Sequence, residues 1–186
     1  SNGKIEEAGK TIREYVIVLK DMIEEKAGIK VEQDDVIVEW LIRWAAMIGS
    51  RFVVGKDGRT AYERRRGRKC KIPVVPVGEK VWYKQIREHK ERRNKFDSER
   101  HEGIWLGHTR CSNEVIVGTE QGAVRAYSVK RQDEDDRWDG AAIKRIKGTP
   151  SQPDPNMQGV HIPIRVRFDP VPAGEEAGEE VPDDAE

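Results

Sequence analysis

Two prolines mark a change of period in this chain. Before Pro73 and Pro76 the apolar residues recur every three or four positions, and after them they fall in short, roughly alternating runs punctuated by glycine. The first spacing lays one stripe along a helix, and the second lays one face along a strand. Helices followed by several short strands at close spacing predict an α+β chain ending in a small antiparallel barrel or rolled sheet.

The helical part begins at once. Ile5, Ile12, Val16, Leu19 and Ile23 predict a helix reaching about Lys26, with Asn2 as a cap and Gly28 as its stop. Glu6 falls in the first turn, where the helix dipole favours a carboxylate. At about 100° per residue, Lys10 and Arg13 lie within about 40° of Glu6, and the apolar stripe lies about 80° to 140° away. One acid and two bases therefore share a face. An i, i+4 Glu–Lys pair is also ordinary surface decoration.

A second helix should start after Asp34 or Asp35 and bury Ile37, Trp40, Leu41, Trp44, Ala45 and Ile48 against the first, antiparallel to it. Trp40 and Trp44 are expected in the core, with a ligand platform as the other reading. Asp57-Gly58 signals a turn, and Thr60-Ala61-Tyr62-Glu63 reads as a capping box that opens a short helix ended by Gly67. This helix and its exit hold Arg64, Arg65, Arg66, Arg68, Lys69 and Lys71, six bases within eight residues. Such a run serves phosphate contact or localisation.

Strands are predicted at 79–84, 103–108, 114–118 and 123–130. Trp82, Trp105 and Tyr127 are expected in the core of their sheet, and an aromatic cage on its rim is the alternative. The insertion at 85–100 is basic, with Lys90, Arg92, Arg93, Lys95 and Arg100. Asp139 should cap a last helix at 141–147, and 161–168 alternates weakly enough to add a strand. From Pro170 onward the composition predicts disorder.

Charge is segregated although it sums to zero. Residues 51–100 hold 17 Lys and Arg against 7 Asp and Glu, whereas 171–186 hold 7 acids and no base. A basic middle with an acidic end suits a polyanion-binding surface followed by a solvated tail. Cys70 and Cys111 form no CxxC pair, and the four histidines show no ligand spacing, so neither a zinc site nor a disulfide framework is expected. The longest apolar run, 15–19, is too short to span a bilayer. Without an initiator Met and with a helix start at its first residues, the chain reads as a piece of something longer.

Three stretches resemble the integrase region of LTR-retrotransposon Pol polyproteins of the copia-type layout. Ser1-Asn2-Gly3-Lys4-Ile5-Glu6 is similar to the start of the helix that carries the third carboxylate of the Asp-Asp-Glu site. Ser50-Arg51, Asp57-Gly58 and Thr60-Ala61-Tyr62-Glu63 resemble the segment closing the catalytic core. Val77-Gly78-Glu79, Gly103-Ile104-Trp105-Leu106-Gly107 and Ser128-Val129 resemble the SH3-like barrel that follows it. Ser50 replaces a usual Asn, Ala61 a Pro and Val77 a Phe.

The resemblance implies a division into residues 1–72, the helical end of an RNase-H-like core, 73–132, an SH3-like barrel, and 133–186, a short helix, linker and acidic tail. It implies DNA strand transfer in which Glu6 is a catalytic metal ligand for Mg²⁺, with Mn²⁺ possible in its place. Lys10, Arg13, the 64–71 run and Lys90, Arg92 and Arg93 would contact DNA. The implied partners are element ends and target DNA, other integrase protomers and the remainder of the polyprotein, in the nucleus after a cytoplasmic particle stage, with no membrane. The two aspartates of the triad have no counterpart in these residues, so the chain is not expected to be active alone. A non-catalytic DNA-, RNA- or chromatin-binding module, of domesticated origin or not, is the rival reading, and a scaffold whose arginines only direct localisation is a third.

Overall fold

The computed structural model describes residues 3–84 and 100–164. Three helices come first: α1 (Gly3–Ala27), α2 (Val36–Arg51) and α3 (Ala61–Arg66). Five strands follow, β1 (Lys80–Lys84), β2 (Arg100–His108), β3 (Val115–Thr119), β4 (Gly122–Ala126) and β5 (Val129–Arg131). A 3₁₀ turn at Glu134–Asp136 and the helix α4 (Gly140–Arg145) close the regular structure. No described helix is long and apolar enough to cross a membrane.

The chain is α+β, as its two periods predict. α1 and α2 are joined by eight residues, and the ring of Tyr15 lies beside Gly49. Those two positions are almost equally far from the connection, which makes the helices antiparallel neighbours. The first two turns of α1 are exposed all round, and the expected burial of Ile5 is not found, since it is 74% exposed. The apolar stripe is used only where α2 runs alongside: Val16, Leu19 and Met22 pack partly, and Ile23 fully.

The sheet is antiparallel with strand order β4-β3-β2-β1-β5. It is open, so the closed form of the expected barrel is not formed; β4 and β5 are its edges. The predicted strand at 123–130 is two strands, because β4 and β5 pair with different partners, β3 and β1. The outer edge of β4 is occupied: Ala123 N donates to Pro153 O and Arg125 N to Pro163 O, each at 2.8 Å. Prolines offer carbonyls and no N–H, so they cover an edge without creating another.

β2 is buried from Gly103 to His108 without alternation, because it is covered on both faces. On one side Trp44 of α2 meets Trp105 edge-on, with centroids 4.9 Å apart and planes at 89°. On the other, Leu106 and Ile146 both lie against Gly118. The pleat of β1 turns Val81 and Tyr83 inward and leaves Trp82 half-buried. Tyr127, between β4 and β5, is 72% exposed, so the core placement expected for Tyr127 and Trp82 is corrected and only Trp105 is fully inside. One hydrophobic cluster runs from Ile23 through α2 and the sheet to Ile143, Ile146 and Ile162, across the boundaries expected at 72/73 and 132/133.

At the C-terminal side, Asp139 Oδ1 accepts from Ala142 N at 2.9 Å and starts α4. Residues 161–164 form no strand. Residues 165–168 of that predicted strand, the basic insertion at 85–99 and the acidic tail lie outside the described residues.

A β-bulge between Trp105 and Gly107 shifts the register of β2 on β3. Gly107 has φ +128°, and a Cβ there would stand 3.0 Å from Trp44 Cε3. Gly107→Ala therefore adds backbone strain and crowds the indole. The expected loss is about 3 kcal/mol, read from urea unfolding followed by tryptophan fluorescence. A change below about 0.5 kcal/mol would show that the junction yields easily.

Candidate nucleic-acid interface

α3 is short, and local chemistry sets its ends. Thr60 Oγ1 accepts from Glu63 N at 3.0 Å, and Glu63 Oε2 accepts from Thr60 N at 2.8 Å, completing the predicted capping box. Gly67, at φ +69°, ends the helix, its N–H donating to Glu63 O at 2.8 Å. The hydrogen bond from the Thr60 amide holds the Glu63 carboxyl below its ordinary range. Ala61 can stand at the first helical position because the box fixes the start without a proline.

The preceding turn uses one arginine of the run. Arg64 Nε donates to Asp57 Oδ2 at 2.8 Å and its Nη2 to Oδ1 at 2.6 Å, a bidentate fork. This pairing holds the Asp57 carboxyl far below its ordinary range and raises the Arg64 guanidinium. Arg64 therefore secures the loop to α3. Its neighbours Arg65, Arg66, Arg68, Lys69 and Lys71 are exposed, and none makes an ion pair with a described carboxylate.

Arg65 and Arg66 share an open groove of about 630 Å³ with Arg43 and Arg51 of α2 and Arg110 of the β2–β3 loop. Among the described residues no Asp or Glu lines it. Arg51, 6% exposed, holds the groove together. It donates to Thr109 O at 3.4 Å, Arg110 O at 3.2 Å and Asn113 Oδ1 at 3.4 Å. Its guanidinium also lies over the Tyr62 ring, 5.6 Å from the centroid. One side chain thus ties α2 to the loop carrying Arg110 and to the ring of α3. Arg43 stands over the ring of Trp40 at 5.5 Å. Burial first, and then the charge of Arg110, make Arg43 hold its proton less tightly than a free guanidinium.

Sequence reasoning missed Arg43, Arg51 and Arg110. A signal was present for two of them. Arg43, Met47 and Arg51 fall at i, i+4 and i+8, one face of α2. Arg110 had none, because only the fold of the β2–β3 loop brings it near.

The other predicted residues are spread out. Glu6, Lys10 and Arg13 are exposed on α1 and make no ion pair among the described residues. No group of three His, Cys, Asp or Glu side chains that could hold a metal ion comes together among the described residues. Glu6 by itself does not fit a two-metal Mg²⁺ or Mn²⁺ site, and no catalytic step follows from these residues alone. Lys90, Arg92 and Arg93 lie outside the described residues. A second concavity, about 230 Å³ between Lys80, Asp139, Glu120 and Arg145, holds the Lys80–Asp139 and Arg145–Glu120 pairs, and its remaining carboxylate, Glu102, accepts from Gln132 Nε2 at 3.0 Å.

Compared with protein-family models, curated proteins and solved structures, the chain has no significant match.

The Asp57–Arg64 fork has a pH signature. The folded-state carboxyl titrates below its unfolded value, so its stabilisation is complete above about pH 4 and declines as the pH falls below that. Asp57→Asn should therefore lower the melting temperature at pH 7, and the gap to the unaltered protein should narrow by pH 3. A gap that is constant or widens in acid would contradict the pairing.

Proposed function

We propose that this chain is a nucleic-acid-gripping portion of an integrase-type DNA strand transferase. The observation that carries the reading is the arginine groove and its surroundings. Arg43, Arg65, Arg66 and Arg110 converge from two helices and a loop, with no carboxylate in the lining among the described residues. Grouping like charges costs energy in the free protein, and a polyanion relieves that cost while releasing its own counterions. Guanidiniums on a rigid frame suit phosphate contacts, which fix register and carry no sequence information.

The integrase-type part of the reading is supported by the order of the elements. A long helix carries Glu6, Lys10 and Arg13 along one face, and a capping box opens the arginine helix. A four-strand meander then follows, whose fifth strand returns to the first, as a small SH3-like sheet requires. In a complete enzyme Glu6 would complete a carboxylate set supplied from outside these residues, and Lys10 and Arg13 would lie beside it on the phosphate backbone of element ends or target DNA. The rival reading is a non-catalytic nucleic-acid- or chromatin-binding module, in which Glu6 holds no metal. The two readings share the grip and differ only in the role of α1.

Two experiments separate these layers. About four phosphate contacts predict that log K for duplex DNA falls against log salt with a slope of about −3 to −4. Combining Arg65→Glu with Arg66→Glu should weaken binding strongly and reduce that slope by about 2. An unchanged slope would remove α3 from the interface. In a complete integrase, Glu6→Gln should abolish joining and leave DNA binding intact. Retained joining favours the non-catalytic module.

A further inference from the structure

The groove is not lined by charge alone. Ala46 and Met47 of α2, the ring of Tyr62 and Pro150 set carbon surface between the guanidiniums. Pro150 is held in place by its segment, since Trp40 Nε1 donates to Gly148 O at 2.8 Å. A flat cationic face would serve duplex DNA, whose charge lies on its outer ridges and whose base faces are stacked away. The guanidiniums on the rim of this recess can meet a duplex's phosphates, but its apolar floor adds nothing to that contact. An unstacked nucleotide fits both chemistries, because every base has an apolar π-face and every linkage has a phosphate.

We propose that this groove holds one unstacked nucleotide of a single strand, its base against Tyr62 and Met47 and its phosphate among Arg65, Arg66 and Arg110. The inference rests on the nucleic-acid reading above and adds a strand preference to it. The volume, about 630 Å³, falls in the range of sites that enclose small molecules, roughly 300–1,000 Å³, which suits one nucleotide with water and not a double helix. Tyr62 is half-buried, and Arg51 lies against its ring. The ring is thereby fixed before a base arrives, which limits the ordering cost of binding. Arg43 and Arg110 repel one another across the lining, and a phosphate beside Arg110 offsets that repulsion.

The test compares a fluorescein-labelled ten-nucleotide oligo-dT with its blunt duplex on oligo-dA, by anisotropy at one salt concentration. The single strand should bind at least tenfold more tightly. Tyr62→Ala should weaken the single strand by roughly tenfold, the lower part of the range for one stacked base, and leave the duplex unchanged. Tyr62→Phe should keep the preference, and Arg110→Glu, at an exposed position, should weaken the single strand without depending on the Arg51–Tyr62 contact. Because Tyr62→Ala could disturb folding, a strand carrying 5-iodouracil is also photocrosslinked to the unaltered protein and the adduct mapped by mass spectrometry. Adducts at Tyr62 or Met47 support the inference; adducts found only elsewhere overturn it. Equal affinity for strand and duplex overturns the strand preference while the grip stands. No binding of either form sinks both readings.

Discussion

Trp44 seated on Gly107 joins the helical half of this protein to its sheet, and most other placements follow from it. The indole fills the space that a side chain at 107 would take, and it meets Trp105 edge-on. The bulge beside Gly107 lets β2 turn there. The next residue, His108, lies with Nε2 2.9 Å from Pro73 O and Nδ1 3.0 Å from Asn113 O. The same strand end therefore positions the segment leaving α3 and the loop carrying Arg110. With one face of α2 committed to the sheet, the face bearing Arg43, Met47 and Arg51 is left for the groove.

The zero net charge conceals a division of labour. Several carboxylates are consumed inside the fold. Glu79, fully buried, receives a fork from Arg131 at 2.7 and 2.9 Å and has Arg137 at 3.5 Å, which ties the start of β1 to β5 and the 3₁₀ turn. Glu114 pairs with Arg125 and Asp57 with Arg64. Exposed pairs add little stability, whereas a buried carboxylate such as Glu79 is costly to leave without its partners. The consequence matters more for function than for stability: these acids are matched within the fold, and no ion pair with a described carboxylate compensates Arg43, Arg65, Arg66 or Arg110 around the groove. These four stand where a phosphate can take the place of a carboxylate.

Local rules were the legible part of the site. The Thr60 box, the Gly67 stop and the Asp139 cap each follow from chemistry within a few residues, and each is present as read. The arginine run is in the helix expected of it, but its members differ in use, because Asp57 claims Arg64 through a loop contact that spacing alone does not specify. The stripe of α1 illustrates the opposite limit. Ile5 has the period of a core residue and lies in water, since burial requires a neighbour as well as a pattern.

The sequence by itself determined the α+β class, the order of the helices and strands and the basic character of α3, because periodicity, caps and charge runs act over a turn or two. Tertiary structure alone decided that the sheet stays open, with Pro153 and Pro163 on its β4 edge, and that Tyr127 lies outside while Trp105 is sealed within. It also decided that Arg43, Arg51 and Arg110 meet Arg65 and Arg66. Those outcomes depend on contacts between residues tens of positions apart, whose geometry is fixed only when Trp44 packs on β2.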